Sequence, residues 1–492
     1  MKLVYEVNDR PPMSKTIVFA LQQMIAIMAA TLLVPMLVTS YGLEADPAAA
    51  LFGAGIGTLV YIFFTKRKSP VFLGSSFTFL GAYSASIGLN FGYLGVIVGV
   101  LFAGLVYVVI GLIIKAAGSG WVNKLMPAVI IGPIVALIGL SLSGTATSWM
   151  AQNGSVEAAD YSLVTILVGS ITFFAIVIAS VKGTDNVKLI PFIVGIGVGY
   201  CIALAITLIG GAAGVESMKI MSFDSFEQAF GQINLSSFIK VPDFFFVKAI
   251  QEKGWQTLSA ADIGSIALIY VPIGIVELAQ HIADHKNLGN IINKDLITDP
   301  GLDNTLLGDG IGSIVGSFFG GAANTTYGES IGCVAITGNA SIISIAVAAL
   351  GCMLLSFFTP FVALINSIPK CVMGGACVAL YGFIAVSGLQ MLRKVDLNNS
   401  KNLFIVSGIL VTGIGGLTLQ FGYNEQTKSP ILTVTSLAVA LIFGIVTNLI
   451  VNDGKLVADA SEFDNKKQPE ALAAKGVTPT APRKDRKKGK KK

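Results

Sequence analysis

Apolar runs of spanning length recur along nearly the whole chain, and this repetition restricts the fold more than any motif does. A helix needs roughly 17–25 mostly apolar residues to cross the hydrocarbon core of a bilayer. Eleven segments reach that length: 16–39, 48–65, 92–114, 126–144, 162–181, 189–210, 264–284, 339–365, 370–390, 402–420 and 430–451. Three more, 70–88, 305–322 and 326–338, are short or broken by glycine and polar residues. Together they predict an all-α polytopic membrane protein with fourteen transmembrane segments. Only 12% of the residues are charged, about half the share of an ordinary soluble domain. That composition excludes disorder and nucleic-acid binding for the body of the chain. Met1 to Lys15 is polar and contains Arg10-Pro-Pro, so no cleavable signal is expected and the first span should be retained. The five cysteines are scattered through apolar runs without metal spacing. They read as small membrane residues, and neither a metal nor another cofactor is expected.

Charge orients the spans. The connections near 44–47, 89–91 and 145–161 carry no Lys or Arg. The alternate ones carry Lys66-Arg67-Lys68, Lys115 and Lys124, Lys182 and Lys188, Lys286 and Lys294, and Arg393 with Lys394. The basic side is cytoplasmic by the positive-inside rule. Both termini fall on it, and the connection 212–262 falls outside, with Ser222 to Gln232 as a short surface helix. The final stretch, 452–492, ends in a Lys/Arg-rich run and reads as a solvated cytoplasmic tail near anionic lipid.

The chain repeats. Gly55-Ile-Gly-Thr-Leu-Val60 recurs as Gly310-Ile-Gly-Ser-Ile-Val315, and Val135-Ala-Leu-Ile-Gly139 as Val378-Ala-Leu-Tyr-Gly382, in the same order. A seven-span unit repeated once must enter the membrane from opposite faces. Inverted repeats of this kind hold a solute near the midplane, at interrupted spans in matching positions of the halves. The matching pair is Leu73-Gly-Ser-Ser-Phe-Thr-Phe79 and Asn324-Thr-Thr-Tyr-Gly-Glu-Ser330. Each is expected to be a short extended piece leading into a half-helix, one in span 3 and one in span 10. Such backbone is tolerated at membrane depth only when buried in protein or lining a cavity.

The chemistry sits beside these pieces. Glu277, Gln280, His281, Asp284 and His285 share one helical face. Ionisable groups at this depth are costly and mark solute or proton pathways. Glu329 is the principal candidate, because a carboxylate in low dielectric accepts an N–H bond strongly. Glu277 reads as a network partner, His285 as a residue near the cytoplasmic end of the span, and Asn324, Thr325 and Thr326 as backbone support.

From about Arg10 to Val451 the chain resembles the nucleobase–ascorbate transporter family, most closely its uracil permease branch. The residues that carry the resemblance are Gln280-His-Ile-Ala-Asp284, Lys294-Asp-Leu-Ile-Thr-Asp-Pro-Gly-Leu302, Leu73-Gly-Ser-Ser-Phe77 and Asn324-Thr-Thr-Tyr-Gly-Glu-Ser-Ile-Gly-Cys-Val-Ala-Ile-Thr-Gly338. The resemblance implies a core domain (1–120 and 263–366, spans 1–4 and 8–11) moving against a gate domain (121–211 and 367–451, spans 5–7 and 12–14). It implies a proton-coupled symporter of the cell membrane, a homodimer, and a nucleobase substrate, uracil first. It assigns substrate contacts to Glu329, Gln280, Phe77, Gly328, Tyr327 and Tyr381, and proton coupling to Asp284, with Glu329 and His281 as the other candidates. Gln280 departs from the glutamate usual there. Its amide accepts an N–H bond and donates to a carbonyl without carrying a proton. The rival readings are a xanthine or uric acid symporter of the same family, and an anion transporter or channel of the same plan. An enzyme is not expected: His281 and His285 have zinc-protease spacing, but Ile282 stands where that motif needs glutamate.

Overall fold

The computed structural model describes residues 3–452, apart from 119, 152–161, 189, 254, 255, 257, 394 and 425–428. Lys394, most of the 145–161 connection and the basic tail beyond Asn452 therefore lie outside the described residues.

The principal elements, in chain order, are α1 (Met13–Ser40), α2 (Pro47–Phe64), β1 (Leu73–Ser75), α3 (Leu80–Gly88), α4 (Gly92–Ala117), α5 (Ala128–Ser141), α6 (Leu163–Lys182) and α7 (Pro191–Ala213). The second half continues with α8 (Ala260–Ile292), α9 (Leu302–Gly320), β2 (Asn324–Thr326), α10 (Gly328–Thr337), α11 (Ile342–Leu355), α12 (Lys370–Leu392), α13 (Ser400–Ile414) and α14 (Ser436–Val451). Eight helices of the described residues are long and apolar enough to cross a membrane: α1, α2, α4, α5 with the stretch to Ala151, α6, α7, α8 and α12. Three shorter apolar helices, α11, α13 and α14, accompany them. The protein is a multi-pass membrane protein.

Local chemistry explains the helix ends. Asp46 caps α2 by accepting from the Ala48 N–H at 2.8 Å, with Pro47 in the first turn. Ser259 and Asp262 form a capping box at the start of α8. Several sequence expectations need correction. The apolar run 339–365 is not one span: α11 stops at Leu355, and Thr359–Asn366 is a separate helix with proline in its first turn. The runs 402–420 and 430–451 are each shortened, because Leu419–Asn424 and Ser429–Val434 pair as an antiparallel hairpin between α13 and α14. Residues such as Phe421 and Ile431 are apolar enough for a helix, but β pairing satisfies the same backbone groups. Conversely, α8 runs well past 284 to Ile292. The 212–262 connection does contain a short helix, Asp224–Phe230. It is not a free loop, since Phe244 and Phe246 pack on Phe52, Phe318 and Phe319.

Packing falls into two sets. Helix α9 packs on both α2 and α4, with α8 on α4, α11 on α2 and α1 on α11. Helices α5 and α12 pack together, with α6 on α7 and α12, and α13 on α5 and α14. Helices α2 and α9 approach closely. A Cβ on Gly57 would lie 2.8 Å from the Gly312 carbonyl oxygen, and one on Gly312 would lie 2.8 Å from that of Gly57. The contact is reciprocal, and its two glycines occupy equivalent places in the repeated Gly-Ile-Gly strings.

Candidate functional site

Two three-residue strands meet at the centre of the first helix set. They pair antiparallel in the register Leu73↔Thr326, Gly74↔Thr325 and Ser75↔Asn324. Both extended pieces expected from the sequence are therefore present, and they bond to each other. All six residues are buried, so their remaining polar groups need partners. Thr58 accepts the Leu73 N–H at 2.9 Å, and the Ser76 N–H donates to the Ala323 carbonyl at 2.8 Å. Asn324 donates its amide to the Gly53 carbonyl at 2.7 Å, and Ser313 donates to the Asn324 carbonyl. Ser330 receives the Phe72 N–H at 2.9 Å and the Gln23 amide, tying α1, the ribbon and α10 together. Gly74 is required by close approach, because any side chain there would strike the Tyr327 ring. The Tyr327 hydroxyl donates to the Ser75 carbonyl at 2.6 Å, which fixes the ring.

Half-helices α3 and α10 leave this ribbon. Glu329 sits in the first turn of α10, where the positive end of the helix dipole favours a carboxylate. Beside it opens a cavity of about 510 Å³. Six of the eight residues named from the sequence line it: Phe77, Gln280, Asp284, Tyr327, Gly328 and Glu329. Gln280, Asp284 and Glu329 are partly exposed to it. Thr326 donates to Asp284 at 3.0 Å, which holds that carboxylate at the edge of the ribbon. The opposite wall comes from the second helix set, including Val135, Ile138, Phe383 and Ile384. The cavity extends to Lys188, Asn287 and Met391, at the ends of helices that carry the basic connections.

Two named residues lie elsewhere. Tyr381 is 2% exposed and stands behind Phe77, ring edge to ring face at 5.5 Å, so it supports the aromatic wall without lining the cavity. His281 turns away from the cavity. Its Nδ1 is 2.6 Å from Asp309 and its Nε2 3.1 Å from the Thr305 hydroxyl. With both ring nitrogens engaged and 1% exposure, His281 offers the cavity nothing. His285 is likewise closed. Its Nδ1 faces the His281 carbonyl at 2.8 Å and must donate to it, which leaves Nε2 to accept from Tyr61 at 2.6 Å.

Sequence reasoning missed Asp309 and Asn287. Asp309 is a lone acid in an interrupted span, the same signal that singles out Glu329. Asn287 is seven residues after Gln280 and continues its helical stripe, but it falls beyond the expected end of the span. Lys188, in a connection, carries no pattern that would have placed it in the cavity wall. The described residues contain no cluster of three metal-ligating side chains.

Comparisons with known proteins agree with the motifs. A sequence model described as the Permease family matches residues 14–421. The uracil permease of Bacillus caldolyticus is 38% identical over 454 residues, covering 92% of this chain and 95% of that protein. The uracil permease of Bacillus subtilis is 35% identical, covering 93% and 97%, and that of Escherichia coli is 33% identical with the same coverage. Among solved structures, the transmembrane domain of a cyanobacterial bicarbonate transporter, BicA, aligns with a TM-score of 0.55 at 15% identity, covering 88% of this chain and 98% of that one. SLC26A9 aligns with a TM-score of 0.57 at 12% identity, covering 90% and 66%. At such identities these two share the fold alone. A match along most of the chain, together with the Asn324–Gly338 motif beside the cavity, means that the protein belongs to this permease family, the nucleobase–ascorbate transporters, in its uracil permease branch.

Proposed function

We propose that this protein is a proton-coupled symporter that imports a nucleobase, with uracil as the substrate. The observation that carries the reading is the cavity wall itself, where Glu329, Gln280 and Phe77 surround one space and Asp284 borders it. Uracil is a flat neutral ring with two N–H donors and two carbonyl acceptors. The Glu329 carboxylate accepts one N–H, and such charge-assisted bonds contribute about 1.5–3 kcal/mol. The Gln280 amide accepts the other and donates to a neighbouring carbonyl. Phe77 supplies an apolar face. Glu329 and Asp284 are the groups we assign to the proton. The relatives named uracil permeases support this substrate.

In this reading the two helix sets are a core domain and a gate domain, and the cavity between them is the transport route. The reciprocal Gly57–Gly312 contact and the antiparallel ribbon support two seven-span halves related by an inverted repeat. By the positive-inside rule both termini are cytoplasmic, and the cavity, reaching Lys188 and Asn287, faces that side. The functional unit is a homodimer in the cell membrane. An anion-carrier reading draws on Lys188 in the wall, but two carboxylates border the same space and would repel an anion.

The test is uptake of labelled uracil into proteoliposomes under an imposed proton gradient, with unlabelled thymine, xanthine, uric acid and bicarbonate as competitors. Gradient-driven accumulation displaced by uracil is the expected result. Accumulation indifferent to the gradient, or displaced by bicarbonate alone, sinks the proposal.

A further inference from the structure

A second, small void lined by buried residues lies next to the main cavity, with Thr325 in the wall of both. Its volume is about 10 Å³, and its polar walls are Glu277, Tyr107, Ser313 and Thr325. That is room for a single water, which needs two to four polar partners. Three of them, Glu277, Tyr107 and Thr325, have unpartnered side-chain oxygens, whereas Ser313 already donates to the Asn324 carbonyl. Glu277 is 2% exposed, and neither of its carboxylate oxygens has a hydrogen-bond partner. The hydroxyls of Tyr107 and Thr325 have none either. The hydroxyls of Thr78, Thr325 and Ser76 all lie close round Glu277, yet outside hydrogen-bonding geometry. The titratable groups that face it are Asp309 on α9, Asp284 on its own helix, Tyr83 on α3, Tyr107 on α4 and Tyr327 at the start of α10. None of these is a cation. A bare carboxylate among acids and phenols in a dry space is costly, and a proton removes the cost.

We propose that Glu277 is a second proton site, holding its proton as a neutral carboxyl beside one water, and that Thr325 passes the proton between this void and the main cavity. The inference rests on the proton-coupled reading above. It also gives the helix face a titratable group that Gln280 does not supply, since Glu277 lies one turn away. The transfer balances. A hydronium in the main cavity gives a proton to the Thr325 oxygen while the Thr325 hydroxyl proton passes to the water in the void. That water releases one proton to Glu277. One O–H bond forms on the carboxylate, one breaks on the hydronium, and hydroxyl and water are regenerated without electron transfer.

The experiment uses the full-length protein in liposomes and reads two signals. Infrared absorption of the protonated-carboxyl stretch, followed with pH, needs no transport and so survives failure of the uracil reading. Uracil accumulation under a proton gradient, and uracil exchange without one, report coupling and folding. E277Q is expected to lose one carboxyl band and gradient-driven accumulation while keeping exchange. If exchange is lost too, E277D decides: it should restore band and accumulation, and its failure to do so overturns the proposal. T325V is expected to keep the band and slow accumulation, and T325S to restore the rate. An unchanged infrared band in E277Q, undiminished accumulation without the band, a wild-type rate in T325V, or accumulation that requires sodium in place of the proton gradient each overturns it.

Discussion

Residues 280 and 281 are neighbours on α8 and opposites in environment. Gln280, with Asp284 one turn on, faces a cavity of about 510 Å³ with room for a solute. His281 and His285 turn the other way, into packing where Asp309, Thr305 and Tyr61 take up their ring nitrogens. The two histidine rings stack at 4.1 Å, and Tyr107 meets His281 edge to face. One helix thus carries a working face and a sealed face, both polar. Polarity at membrane depth does not by itself identify a solute contact. What separates the faces is whether hydrogen-bond capacity is left over. The two histidines have spent their capacity on protein partners, whereas Glu277 and the Tyr270 hydroxyl, buried on the same helix, have none.

The comparison is broken most directly at Glu329. E329Q removes the carboxylate from the working face and should abolish gradient-driven uracil accumulation in proteoliposomes; normal accumulation would show that the working face is elsewhere. On the sealed face, D309A should leave His281 with an unpaired buried nitrogen. The cost of breaking such a pair is about 3 kcal/mol, read as a lowered melting midpoint of the detergent-purified protein. A wild-type midpoint would mean that the pair contributes nothing to the fold. Q280E tests the amide. The new carboxyl donates to a carbonyl only while protonated, so uptake should fall as pH rises through its titration, with apparent KM changing by about tenfold or less. A pH profile identical to wild type would remove residue 280 from the contact set. Y61F should cost about 1–2 kcal/mol of stability, because His285 loses its acceptor bond, and should leave uracil uptake intact. At the surface, D299A breaks an ion pair of 2.6 Å to Lys68 whose side chains are 67% and 47% exposed. It should change the melting midpoint by less than about 1 kcal/mol equivalent, and a larger loss would mean that the connection it sits in is tied to the core.

Much of this was readable before the fold. The two interrupted segments stand out because Gly, Ser, Thr and Asn break otherwise apolar runs, and both become the paired strands of one ribbon. Glu329 stands out because a carboxylate at that depth needs a reason. Other features resisted reading. The strands of the 419–434 hairpin are partly absorbed into the apolar runs 402–420 and 430–451, because strand pairing depends on a partner that periodicity does not reveal. The break at 356–358 in the 339–365 run is hidden because composition stays apolar across it. His281 shares the helical face of Gln280 and Asp284 at the resolution of a helical wheel, yet a rotation of one residue position separates cavity from core. Tyr381 is near the site but one layer back, a difference of packing depth.

The sequence alone determined that the chain is a multi-pass membrane protein with two broken segments and acids beside them. Hydrophobic length and the cost of an ionisable group in lipid are local properties, legible one segment at a time. Only the tertiary structure decided which acid looks into the cavity, which is locked to a histidine, and which is left bare behind Thr325. Those outcomes depend on what α4 and α9 present to α8, and a hydrogen bond between distant segments exists only once both have been brought together.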